Sequence, residues 1–287
     1  MESEKGMKDM KKRSFKAVLL LFVLTTLTIA LGGCSGDKKG DISSQITIGI
    51  PQDLEDSLDP HKMVTAGTRE VLFNIFEGLV KVTSDGDFVP AVASSYEETE
   101  GGKVYTFTLR DNVKFHDGST VTAEDVKFSL DKCADTSAGE PLVAAFSNID
   151  SVNILDDKTV QVVLKEADTE FLAYMTTAII PASNADPDTN PIGTGPYKFV
   201  SRSPQENFVM ERFDDYWGEP AYIKDVTLKI CANADTIVMD LEGGSIDMFA
   251  RVTSTQAAEL SDNFNVLEGT MNLVQALYLN NAEAPFD

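Results

Sequence analysis

Apolar positions recur along this chain at two periods, and each period predicts a different element. Residues 103–110, KVYTFTLR, place Tyr105, Phe107 and Leu109 between threonines, the alternation of a strand with one buried face. Residues 68–80 carry Val71, Leu72, Ile75, Phe76 and Leu79 at helical spacing, so one helix is expected there, with Gly78 near its end. At residue 122, Thr-Ala-Glu-Asp sets a hydroxyl three positions before Asp125, a capping-box pattern with Asp in the usual Glu place, which starts a helix over 123–133. Strands are predicted at 46–50, 149–155 and 159–165, the last two joined by Asp156-Asp157-Lys158 as a hairpin. Further strands are predicted at 197–201, 207–212, 226–231, 265–268 and 276–279, with a helix over 235–242 stopped by Gly243-Gly244. The fold class is therefore mixed α/β.

The first 33 residues follow neither period. Lys8, Lys11, Lys12, Arg13 and Lys16 precede the uncharged run AVLLLFVLTTLTIA, and Leu31-Gly32-Gly33-Cys34 follows, a pattern that resembles the lipobox of bacterial lipoproteins. Residues 1–33 then read as a lipoprotein signal peptide and Cys34 as the lipid attachment site. Two acyl chains there anchor a protein where one binds only marginally. Residues 34–45 are small and polar and read as a flexible tether. Removing residues 1–33 takes six basic and three acidic residues and moves the formal charge from −22 to −25. Such acidity argues against a nucleic-acid partner, because phosphate binding relies on clustered Lys and Arg.

Composition narrows the chemistry further. Three cysteines are too few for a disulfide scaffold, and with Cys34 assigned to lipid, Cys133 and Cys231 are expected as two buried thiols, a bridge being the alternative. The loop NPIGTGPYKFV at 190–200 has paired glycines, but Pro196 has no N–H and no Gly-Lys-Ser/Thr ending follows, so it reads as a turn and not a phosphate cradle. No G-x-S-x-G elbow, HExxH or CxxC occurs, and His61 and His116 each follow an extended or turn segment, where a structural hydrogen bond is the usual role. No enzymatic activity, cofactor or metal site is expected. The acidic pairs Asp214-Asp215 and Asp186-Pro187-Asp188 read as solvated turns. Tyr216-Trp217 reads as packed aromatics under a loop, with a ligand-stacking platform as the other reading.

Six blocks in order then resemble one family. SLDPHK…NIFEGLV (57–80), PAVASSYEETEGGKVYTFTLRDNVKFHDGSTVTAEDVKFSL (90–130), NPIGTGPYKF (190–199), DDYWGEP (214–220), LEGGSID (241–247) and YLNNAEAPFD (278–287) are similar to landmarks of the extracellular solute-binding proteins, family 5, the peptide and nickel class that feeds ABC importers. The resemblance implies a periplasmic-binding-protein-like fold of two lobes closing on a ligand, with an extra α+β domain inserted in the first. Carried onto this chain, it puts lobe one at 46–76 and 191–275, the insert at 77–190 and the start of a distal lobe at 276–287. Family members are nearly twice as long, so a C-terminally truncated chain lacking the second lobe is expected.

The resemblance also implies a function. The expected protein is not an enzyme but a monomeric receptor that captures oligo- or dipeptides and hands them to two permease subunits and two ATPases, held by lipid on Cys34 at the outer face of the cytoplasmic membrane, or on the periplasmic side in a two-membrane cell. Met63, Thr65, Ala66, Gly67 and Thr68 would run along the ligand with their backbone, and Phe146 would offer an aromatic wall, the alternative for Phe146 being the core of the insert. A surface sensor on the same scaffold, or a receptor for a nickel chelate, oligosaccharide or opine, stays open, with a cell-wall hydrolase behind them.

Overall fold

The computed structural model describes residues 44–269, apart from Glu55, Asp56, Ala138, Ala185, Ala232, Arg251, Ser261 and Asp262. The signal peptide, Cys34, nearly all of the tether, the strand expected at 276–279 and the start of a distal lobe lie outside the described residues.

One body is a five-stranded sheet in the order β11-β1-β10-β9-β8. It is built from β1 (Gln45–Ile50), β8 (Tyr197–Ser203), β9 (Asn207–Arg212), β10 (Asp225–Ile230) and β11 (Met248–Phe249). β1 runs parallel to both neighbours, with Ile46 opposite Val226 and Ile48 opposite Leu228, while β9 is antiparallel to both β8 and β10. Period-two patterning puts Phe208, Met210, Val226 and Leu228 on one face, where they bury against Val71 and Leu72 of α1 (Ala66–Leu72). Each such side chain contributes about 1.5–3 kcal/mol through the apolar surface it takes from water.

The second body is an antiparallel sheet, β4-β5-β7-β6, made of β4 (Ala93–Thr99), β5 (Val104–Leu109), β6 (Ile149–Asp156) and β7 (Thr159–Leu164). Phe107 opposes Val160 and Tyr105 opposes Val162, and this face packs on Val126, Leu130 and Cys133 of α2 (Ala123–Ala134). The cap of α2 forms as its spacing predicts. Thr122 Oγ1 accepts from the Asp125 N–H at 3.3 Å and Asp125 Oδ2 accepts from the Thr122 N–H at 2.9 Å. A small hairpin, β2 (Val80–Val82) with β3 (Phe88–Pro90), leads into this body. A third, smaller core gathers Ile237 and Leu241 of α3 (Ala234–Glu242) with Ile246 and Leu260, the last from α4 (Ser254–Leu260).

The structure corrects two expected elements and settles the cysteines as two buried thiols. The helix over 68–80 spans only Ala66–Leu72: the Asn74 amide turns back to the Val71 carbonyl at 3.0 Å, and the carbonyls of Asn74 and Ile75 accept from Tyr197 and Gly195. Ile75, Phe76 and Leu79 keep their helical spacing yet are buried by a turn and an extended passage from one core to the next. Residues 265–269 form no strand. Cys133 and Cys231 are both buried and free, in separate cores, so the bridge is excluded.

Candidate functional site

Because β1 is parallel to β10 and β11, the carboxyl ends of all three lie on one side of the sheet. In open α/β sheets that side is where ligands settle. The chain leaves β1 there through residues 51–65 and enters α1, and it leaves β10 into α3, whose N-cap Asn233 accepts from the Thr236 N–H at 2.8 Å.

The structure brings five of the six sequence-predicted ligand residues together at the start of α1. Thr65 is its N-cap: Oγ1 accepts from the Thr68 N–H at 3.4 Å and donates to Thr68 Oγ1 at 3.0 Å. Thr68 is buried, Met63 packs at the edge of the core, and Ala66 and Val64 are exposed, Val64 to 78%. At Gly67 an added Cβ would meet only Gln52 Nε2, 3.8 Å away, so the backbone stands open. Phe146 sits elsewhere. It is 1% exposed in the core of the four-stranded body, its ring 5.8 Å from that of Phe171, which gives it a packing role and no wall to offer a ligand.

Buried charges fix the approach to this surface. Asp53 accepts from the N–H groups of Leu54 at 2.7 Å and Gln205 at 2.8 Å and pairs with Arg202 at 3.1 Å, tying the exit of β1 to the β8–β9 turn. Arg202 also donates to the Leu54 carbonyl. Six residues on, Asp59 is 1% exposed and pairs with Lys132 Nζ of α2 at 2.8 Å. Burial pushes both carboxyls up, but the bonds from Gln205 and Arg202 on Asp53, and from Lys132 and the His61 N–H on Asp59, outweigh it and hold both below the usual carboxylate range.

The two histidines serve the backbone, as their turn settings suggest. His61 Nε2–H donates to the Ala178 carbonyl at 2.8 Å. His116 Nδ1 accepts from the Gly193 N–H at 3.3 Å and its Nε2–H donates to the Gly195 carbonyl at 3.0 Å, which fixes one neutral tautomer. Burial lowers both histidines, His116 to about 4. The glycines of the 190–200 loop are there for close approach: a Cβ on Gly193 would lie 2.1 Å from the Ile75 carbonyl oxygen, and one on Gly195 2.5 Å from that of Asn74.

Sequence reasoning missed Glu77. Its carboxylate is buried where the two bodies meet and accepts from Tyr216 Oη at 2.7 Å, Trp217 Nε1 at 2.7 Å and Thr194 Oγ1 at 3.3 Å. Burial raises its pKa despite those three bonds. Trp217 thereby packs under a loop, with the guanidinium of Arg110 4.5 Å and Lys81 Nζ 5.1 Å from its ring centroid. The available signal was a lone acid inside the apolar run NIFEGLV. Among the described residues no group of three or more His, Cys, Asp or Glu is placed to hold a metal ion, and no helix is long and apolar enough to cross a membrane.

Comparison with known proteins bears on this geometry. A family model described as bacterial extracellular solute-binding proteins, family 5 Middle, matches residues 87–287. The oligopeptide-binding protein AppA of Bacillus subtilis (strain 168) is 29% identical across 89% of this chain and 52% of its own length. The nickel-binding periplasmic protein of Escherichia coli (strain K12) is 30% identical across 67% of this chain and 38% of its own. Among solved structures, the ABC transporter-associated periplasmic binding protein DppA from Helicobacter pylori, in complex with peptide STSA, superposes with a TM-score of 0.69 at 26% identity, covering 76% of this chain and 48% of that one. The chain spans about half the length of the curated relatives it matches.

Proposed function

The chain belongs to the bacterial extracellular solute-binding proteins, family 5, and from that premise we propose that it carries one wall of a peptide receptor that serves an ABC importer. The observation that carries this reading is the start of α1. The uncovered Gly67 and the exposed side chains of Val64 and Ala66 lie beside the carboxyl ends of β1 and β10, a surface suited to an extended peptide. Contacts to backbone, with room for varied side chains and water, suit a receptor that takes many peptides. Affinity then comes from closure, a hinge motion that buries the ligand against a second wall. The partners of this reading are two permease subunits and two ATPases. Lipid on Cys34 holds the receptor at the membrane, a role drawn from the sequence of residues 17–34.

A non-peptide solute is the second reading. It is favoured by the relative named as nickel-binding, which is 30% identical.

The experiment is native mass spectrometry of the protein expressed from its complete gene, followed by uptake of isotope-labelled peptides in cells with and without that gene. Peptides on the purified protein, and uptake lost with the gene, are the expected outcomes. A metal chelate or sugar in their place overturns the peptide reading. Peptide binding with unchanged uptake points to a sensor.

A further inference from the structure

The turn that leads to the candidate ligand surface is tied to the four-stranded body by Lys132 of α2, and otherwise to the 178–188 passage that follows that body in sequence. Between Ser57 and Lys62, four side chains reach residues 132, 178 and 188. Asp59 pairs with Lys132 at 2.8 Å, His61 Nε2–H donates to the Ala178 carbonyl at 2.8 Å, and Ser57 and Lys62 both meet the Asp188 carboxylate, Lys62 at 3.4 Å. The turn is rigid within itself, since the Lys62 N–H returns to the Asp59 carbonyl at 3.0 Å and the His61 N–H to Asp59 Oδ1 at 3.0 Å. Its exit is tied to α1 by Arg69, which donates to the Met63 carbonyl at 3.3 Å. Asp59 is the centre of this arrangement: a carboxylate 1% exposed takes its nearest counter-charge from Lys132 at 2.8 Å, with Lys62 Nζ farther off at 3.7 Å.

We propose that Asp59 and Lys132 are positioning residues, through which the four-stranded body sets the register of residues 63–68 against the ligand. The proposal rests on the reading of 63–68 as a ligand surface. It gives the four-stranded body a role in binding that needs no contact with the ligand itself. Displacement of α2 would shift Asp59, and with it the turn and the start of α1.

Lys132 is the residue to change, because its side chain is partly exposed and its loss leaves the cores intact. Two readouts on the protein expressed from its complete gene test the idea. In Lys132→Met, amide hydrogen exchange at residues 63–72 should quicken about tenfold while β8–β10 stay protected as in the wild type, and Lys132→Arg should restore protection. An equimolar pool of isotope-labelled tripeptides should bind Lys132→Met about tenfold more weakly, the change expected from losing one interaction of this kind. Unchanged exchange at 63–72 overturns the proposal, as does quickened exchange with unaltered peptide affinity. A wild-type protein that takes no tripeptide from the pool refutes the peptide reading instead, and the exchange readout then decides the brace alone.

Discussion

The indole N–H of Trp217 donates to Glu77 Oε2 at 2.7 Å, across 140 positions of sequence. With Tyr216 on the other oxygen, two half-buried aromatic donors depend on one buried carboxylate. Glu77→Ala strands both donors, and each unsatisfied buried group costs about 1–3 kcal/mol. Urea unfolding should therefore show a loss of about 2–5 kcal/mol, and Glu77→Gln a smaller one, since one amide end still accepts.

Acid acts on His116 with a definite sign. Its pKa is pushed down to about 4 by burial, below the ordinary value of 6.5, so between those limits the unfolded chain binds the proton and the folded chain does not. Stability from this residue is complete above pH 6.5 and is lost as pH falls toward 4 and below. His61 shifts in the same direction, and Glu77 in the opposite one, favouring the folded state as pH falls. Melting temperature measured against pH should drop less steeply from 6.5 to 4 in His116→Gln than in the wild type.

Gly195→Ala sets a methyl 2.5 Å from the Asn74 carbonyl oxygen, against backbone that Tyr197 and Gly195 already bond. Overpacking against fixed backbone costs about 1–3 kcal/mol, occasionally more. Gly67→Ala meets nothing closer than 3.8 Å and should leave the melting temperature within a degree or two of the wild type, by roughly the ±0.5 kcal/mol of a surface change. Thermal melts of the two variants side by side check the contrast.

Thr65→Ala removes the oxygen that caps α1, and should cost about 1 kcal/mol in urea unfolding. Exchange at the Thr68 amide should quicken first, because that N–H loses its acceptor.

Cys133 and Cys231 should resist an aromatic disulfide reagent at pH 8 in the folded protein and react on unfolding. Both are buried, and burial pushes the Cys133 thiol up to about 12 and raises that of Cys231 as well.

Local rules carried much of this fold in the sequence. The Thr122–Asp125 box and the alternation in β5 and β7 were legible because each is decided within a few residues. Residues 75–79 misled because apolar spacing reports burial and not the core that supplies it; here two cores share one segment. Thr65, Gly67 and Thr68 came from motif order and gather at the start of α1, Thr68 buried beneath it. Glu77, Asp53 and Asp59 stayed hidden for a different reason. In a chain with 46 Asp and Glu, Asp53 and Asp59 carry no mark of their own and Glu77 only its apolar neighbours, while partners such as Trp217, Gln205 and Lys132 lie 73 to 152 positions away.

The pairing of β1 with β10 joins Gln45 to Asp225, and nothing nearer in sequence can stand in for it. As the chain emerges from a ribosome or translocon, β4 to β7 have all their partners within Ala93–Leu164 and can close early. β1 must wait unpaired until some 180 further residues have followed, the slow, entropy-limited closure of a distant contact. The proposed ligand surface is thus finished late, and the chain at that stage shows a bare apolar strand that a chaperone has time to hold.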